Sequence, residues 1–162
     1  MAERWSAFAA AAAVFALDRF TKWIVETRVS AYDTHQVIPG FFSIVHSQNR
    51  GAAFGILADS SSEWRTFFLI VVSLAATAFV IGMLWRAHNL DRLTFWGLSF
   101  ILGGALGNVF DRVVRGTVTD FLLFYVGEYQ WPAFNVADSA ITVGAALLIL
   151  EMLKPGKQPA RT

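Results

Sequence analysis

Residues 64–85 read WRTFFLIVVSLAATAFVIGMLW, with no charge after Arg65. A helix needs about 20 mostly apolar residues to cross a hydrocarbon core of roughly 30 Å. This stretch therefore predicts a membrane span. Trp64 and Trp85 bracket it, as aromatic residues do at membrane–water interfaces. Just upstream, Ser60 and Glu63 have the spacing of a capping box, which predicts a helix start there.

Working outward, three more stretches have comparable character: about 5–25, rich in alanine, about 93–110, and about 134–153. Trp5, Trp96 and Trp131 lie near their ends, and Pro155-Gly156 stops the last one. Arg4 ahead of an apolar run has the layout of a secretory leader. That run outlasts a normal leader core, and Asp18-Arg19 and Lys22 follow with no cleavage site, so it reads as a span. Between spans one and two, Val37-Ile38, Phe41-Phe42 and Ile44-Val45 are bounded by Pro39-Gly40 and Gly51. Apolar pairs between turn residues predict short strands. The expectation is an all-α membrane protein, one integral domain over 1–162 with four transmembrane helices. Its external segments are about 26–63 and 111–132, the first forming a small β-rich platform on the outer leaflet.

Composition agrees. The chain is 56% hydrophobic and 15% charged, against about 25% charged in soluble domains. A net charge of +1 lacks the basic face of a nucleic-acid binder. The absence of cysteine excludes disulfides, thiolate metal sites and a cysteine nucleophile. His35, His46 and His88 lie apart, with no His-Glu-x-x-His, Gly-x-Ser-x-Gly or Walker pattern. Zinc, serine-hydrolase and nucleotide-loop chemistries therefore fit poorly.

Arg86 and Arg92 flank the loop between spans two and three; Arg4, Lys154, Lys157 and Arg161 lie at the chain ends. Placing these in the cytoplasm satisfies the positive-inside rule, although Arg28, Arg50, Arg65, Arg112 and Arg115 then fall outside. Both termini are cytoplasmic in this arrangement. Asp18, Lys22, Asn49, Asn108, Asp111, Arg112, Asp120, Asn135 and Asp138 then converge on the outer leaflet, while the inner halves of the spans stay apolar.

Ionisable groups at membrane depth are costly and face a partner or a wet cavity. Asp18 and Lys22 are four apart, which also suits a structural ion pair. Asp111 and Arg112 are adjacent, so on a helix they need separate partners, and Arg112 has donors for a two-point carboxylate contact. Asn108 and Asn135 fit interhelical hydrogen bonding, and Gly103, Gly104 and Gly107 fit close packing. Asp120 and Asp138 have no adjacent or i,i+4 base and are embedded in apolar sequence. Two carboxylates meeting in low dielectric share one proton, as an aspartic protease dyad does. From the residues alone a proton relay in a small transporter and a non-catalytic scaffold stand beside an aspartyl hydrolase. A relay would need polar groups continuing to the inner side.

Four ordered blocks carry a resemblance: Leu17-Asp18-Arg19-Phe20-Thr21-Lys22; Asn49-Arg50-Gly51-Ala52-Ala53-Phe54-Gly55; Gly103 to Arg112 with Gly116 and Val118-Thr119-Asp120-Phe121; and Phe134 to Ile141, FNVADSAI. Together they resemble the lipoprotein signal peptidase (signal peptidase II) family over nearly the whole chain. Arg50 and Thr119 fall at permissive positions of the pattern. The resemblance implies an intramembrane aspartic endopeptidase that cuts prolipoproteins before a diacylglyceryl-modified cysteine. It implies catalysis by Asp120 and Asp138. Asp18, Lys22, Asn49, Gly51, Asn108, Asp111, Arg112 and Asn135 would bind substrate or support the site. It further implies no cofactor, a bacterial cytoplasmic (inner) membrane, contact with membrane lipids and inhibition by globomycin.

Overall fold

The computed structural model describes residues 2–31, 33–51, 63–86 and 90–154. The expected capping box at Ser60, the stop at Pro155-Gly156, His88 and residues 52–55 of the second block lie outside the described residues. Four helices and four strands occur in the order α1 (Ala2–Arg28), β1 (Thr34–Ile38), β2 (Phe42–Asn49), α2 (Glu63–Arg86), α3 (Arg92–Arg115), β3 (Val118–Val126), β4 (Tyr129–Gln130) and α4 (Val136–Met152). The protein is mostly helical with one small antiparallel sheet in the order β1-β2-β3-β4.

The central element is α3, which packs on α1, α2 and α4. Small residues make that possible. A methyl group added at Gly97 would lie 2.9 Å from the Gly144 carbonyl, and one at Gly103 would run into Ala11 and Val14. Close backbone approach of this kind replaces the hydrophobic drive that lipid-facing helices lack. Ala7, Ala11, Val80, Leu84, Leu98 and Leu102 form an apolar core at one end of the bundle. The buried hydroxyls near it satisfy themselves within their own helices, Thr77 on the Ser73 carbonyl and Ser99 on the Phe95 carbonyl. The buried charges gather toward the other end: Asp18 and Lys22 on α1, Asp111 and Arg112 near the end of α3, and Asp120 on β3.

Two helices, Thr66–Arg86 and Arg92–Arg115, are long and apolar enough to cross a membrane. Large apolar side chains on α2, among them Phe67, Phe68, Val71 and Phe79, point outward.

The expected strands in the first external segment form, with Gly40 at φ 76° in their turn. The platform is not confined to that segment, however. Residues 118–130, expected as plain external chain, supply β3 and β4, and β3 pairs along β2 with Ser47 opposite Asp120 and Asn49 opposite Val118. The run VTDFLLFYV lacks the in-out alternation that marks a half-buried strand, because its first residues are buried throughout. Helix α3 also outlasts the expected boundary at 110. It ends at Gly116, whose φ of 74° lets its N–H close on the Arg112 carbonyl at 3.0 Å, a turn that favours glycine.

Candidate active site

The start of α4 is fixed first by its own sequence. Asn135 sits in extended conformation and its side-chain oxygen accepts from the Asp138 N–H at 2.9 Å. The Asp138 carboxylate reaches back to the Asn135 N–H at 3.4 Å, completing a capping box. One residue earlier, Phe134 is tied to β3 by backbone hydrogen bonds to Phe121 and Leu122. The helix start is thereby docked beside the strand that carries Asp120.

Three amides hold the two carboxylates. Asn49 Nδ2 donates to Asp120 Oδ2 at 2.9 Å, and Asn135 Nδ2 donates to Asp120 Oδ1 at 2.7 Å. Asn108 Nδ2 donates to Asp138 Oδ1 at 2.8 Å. The oxygen end of each amide is already taken. The Gly51 N–H occupies Asn49 Oδ1, Lys22 Nζ occupies Asn108 Oδ1 at 3.1 Å, and the Asp138 N–H occupies Asn135 Oδ1. Each amide must therefore turn its nitrogen toward a carboxylate. Among the described residues, no ion pair includes Asp120 or Asp138. Burial, and next the charge of Asp138, push the Asp120 carboxyl up to about 7, against the opposing hydrogen bonds from Asn49 and Asn135. Asp138 is only half-buried.

A separate set of charges lies behind this pair. Lys22 Nζ is 2.9 Å from Asp18 Oδ2 and 2.7 Å from Asp111 Oδ2, all three fully buried. These are charge contacts, since neither oxygen has an aligned donor. The other oxygen of Asp18 accepts from the Ala137 N–H at 2.9 Å, and that of Asp111 pairs with Arg19. Glu26 pairs with Arg115 and, at 3.9 Å, with Arg19.

The structure thus brings the expected residues Asp18, Lys22, Asn49, Gly51, Asn108, Asp111, Arg112, Asn135, Asp120 and Asp138 to one end of the bundle. Arg112 differs in its contacts. Its hydrogen bonds run to the carbonyls of Gly51, at 3.1 Å, and Asn108, at 3.4 Å, rather than to a carboxylate. Sequence reasoning missed Arg19, Glu26, Arg115 and Thr119. A signal existed: Asp18, Lys22 and Glu26 follow one another at four-residue steps, one face of α1. Among the described residues no cluster of His, Asp and Glu could hold a metal ion.

Residues 10–154 match the family model described as signal peptidase (SPase) II. The chain is 63% identical over 157 residues to a lipoprotein signal peptidase of Solibacter usitatus (strain Ellin6076), covering 97% of this chain and 96% of that protein. It is 49% identical over 150 residues to a lipoprotein signal peptidase of Cupriavidus necator, covering 93% of this chain and 83% of that protein. A solved structure described as a bacterial membrane enzyme superposes with a TM-score of 0.85 at 31% identity, covering 97% of this chain and 94% of that one.

Proposed function

Since the chain belongs to the signal peptidase II family, we propose that Asp120 and Asp138 are its catalytic pair. The protein is a membrane aspartic endopeptidase that removes signal peptides from prolipoproteins. The observation that carries the assignment is the amide-only first contact of both carboxylates. Held by Asn49, Asn108 and Asn135 without a bonded cation, the pair is free to keep one proton between two acids.

In the reaction, one carboxylate takes a proton from water as the water oxygen bonds to the scissile carbonyl carbon. The other, protonated, gives its proton to the carbonyl oxygen. Collapse of the tetrahedral adduct breaks the C–N bond, and a proton passes to the leaving amine. Asp120 holds the shared proton at rest, consistent with its raised pKa. Half-buried Asp138 is the one reached by water.

The substrate is cut before a diacylglyceryl-modified cysteine. A signal peptide's apolar core is itself a membrane helix, and acyl chains lie in one leaflet. The scissile bond then sits at the depth of the polar end of the bundle. All four helices span the bacterial inner membrane with both termini in the cytoplasm and the sheet outside. At 1.5 Å per residue the 17 residues of α4 reach ~26 Å and the 27 of α1 ~40 Å, which supports this placement. Globomycin, as a cyclic peptide, competes for the same cleft. A proton relay finds no support, because on the described helices the buried polar groups beyond the site, Thr77 and Ser99, are hydroxyls bonded within their own helices.

The test is a gel-shift cleavage assay on one prolipoprotein with and without its diacylglyceryl group. Cleavage of the lipidated form alone, blocked by globomycin, is expected. Equal cleavage of both forms rejects the substrate assignment.

A further inference from the structure

We propose that Glu26 is a positioning residue for Asp120, acting through Thr119. The inference rests on the catalytic reading of Asp120 given above. Thr119 directly precedes Asp120 on β3. Its hydroxyl donates to Glu26 Oε1 at 2.8 Å, joining residues 93 positions apart. Its carbonyl accepts from Asn135 Nδ2 at 3.3 Å. The strand is thus gripped from both sides at the residue before the acid. Successive strand side chains point to opposite faces, so Thr119 reaches α1 while Asp120 faces the amides.

The plain alternative is a surface ion-pair network, in which Glu26 merely meets Arg19 and Arg115. Pairs of that kind contribute little to stability, and Arg115 is indeed the most exposed member. Thr119 separates the two readings. Its side chain is buried at 3% exposure, and a buried hydroxyl that loses its acceptor is destabilised unless it moves. Any such movement occurs one residue from the reacting carboxylate. It occurs also just after the Gly116 corner, where β3 has only begun its ladder with β2. The arginines then act on Glu26 itself, keeping its carboxylate turned toward Thr119.

The acceptor oxygen is what the proposal requires, so the variants are chosen around it. Thr119→Val and Glu26→Met remove one end each; Thr119→Ser and Glu26→Gln keep a hydroxyl and an acceptor. Purified full-length variants are assayed on lipidated prolipoprotein, with thermal unfolding measured in the same detergent. Thr119→Val and Glu26→Met are expected to lower kcat by about tenfold, the scale of a sub-ångström misplacement, and to leave KM unchanged. The double variant loses no more than the worse single one, because both cut the same link. Thr119→Ser and Glu26→Gln restore most of the rate. If Glu26→Met does not fold, the near-isosteric Thr119→Val carries the test. Normal kcat in Thr119→Val, a multiplicative loss in the double variant, or failure of Thr119→Ser to restore the rate overturns the proposal. Asp120→Asn is run alongside. If it is inactive while Thr119→Val is normal, the link fails and the catalytic pair stands; if it is active, both fall.

Discussion

Asp111 and Asp120 are both buried at the same end of the bundle, yet their surroundings are opposite. Asp111 belongs to a knot in which Asp18, Asp111 and Glu26 face Lys22, Arg19 and Arg115, three carboxylates against three cations. Asp120 and Asp138 meet Asn49, Asn108 and Asn135, which donate hydrogen bonds but bring no compensating charge. Cations hold a carboxylate in place by opposite charge. Amides fix its position and leave its proton free to come and go. The knot is held by charge, the proposed catalytic pair by neutral amides. Lys22 joins the two, since it also occupies the oxygen of Asn108 and so aims that amide at Asp138.

The contrast is sharpest at the two amide-held carboxylates themselves. Asp120→Asn and Asp138→Asn are expected to lower cleavage of lipidated prolipoprotein by about 10⁴-fold or more, the scale seen when one member of a catalytic set is lost. Thermal unfolding should remain cooperative and near the parent temperature. Substantial cleavage by either variant breaks the comparison at its reactive side.

The knot should fail the other way. Lys22→Met leaves two buried carboxylates facing each other, at a cost of about 3–5 kcal/mol. Thermal unfolding in detergent should show a large fall in melting temperature, with Asp18→Asn added to Lys22→Met recovering part of it. A Lys22→Met protein as stable as the parent would show that the knot is ornamental. A smaller effect is expected at Gly107. There an added methyl group runs into the Asp18 carboxylate, whose carbon would lie 3.0 Å away. Gly107→Ala should destabilise by about 1–3 kcal/mol, typical of overpacking, with calorimetry as the check.

The mildest test is pH. Burial and the charge of Asp138 hold the Asp120 carboxyl near 7, above the ordinary 3.8, so the folded state binds more protons than the unfolded one between about 4 and about 7. Stability therefore falls as pH rises through that window and levels off above it. Asp120→Asn should flatten this slope in thermal unfolding measured at several pH values. Activity should fall on the alkaline side with a midpoint near 7, as the shared proton leaves. A slope of the opposite sign would place Asp120 among the ion-paired carboxylates.

Much of this was legible along the chain because it is local. The pairing of Asp18 with Lys22 follows from four-residue spacing, and the separate partners of Asp111 and Arg112 follow from adjacency on a helix. The capping of α4 by Asn135 was not anticipated, although Asn three residues before Asp is a recognisable pattern at a helix start. The strand carrying Asp120 was also missed. Its pairing with β2 joins residues about 70 apart in sequence, and a run buried on both faces has no alternation to betray it. Arg112 was expected to grip a carboxylate and instead binds the Gly51 carbonyl. A guanidinium's partner is set by which loop the fold delivers, and that is a tertiary fact.

Asn135 ends up answering to two demands at once. A helix start by itself tolerates Ser, Thr, Asp, Asn or Gly. This one must also present a nitrogen donor to Asp120 while its oxygen serves Asp138. Serine and threonine lack the second arm, aspartate would add a third negative charge, and glutamine is too long to cap. Two mild preferences, each permissive alone, intersect in a single amino acid.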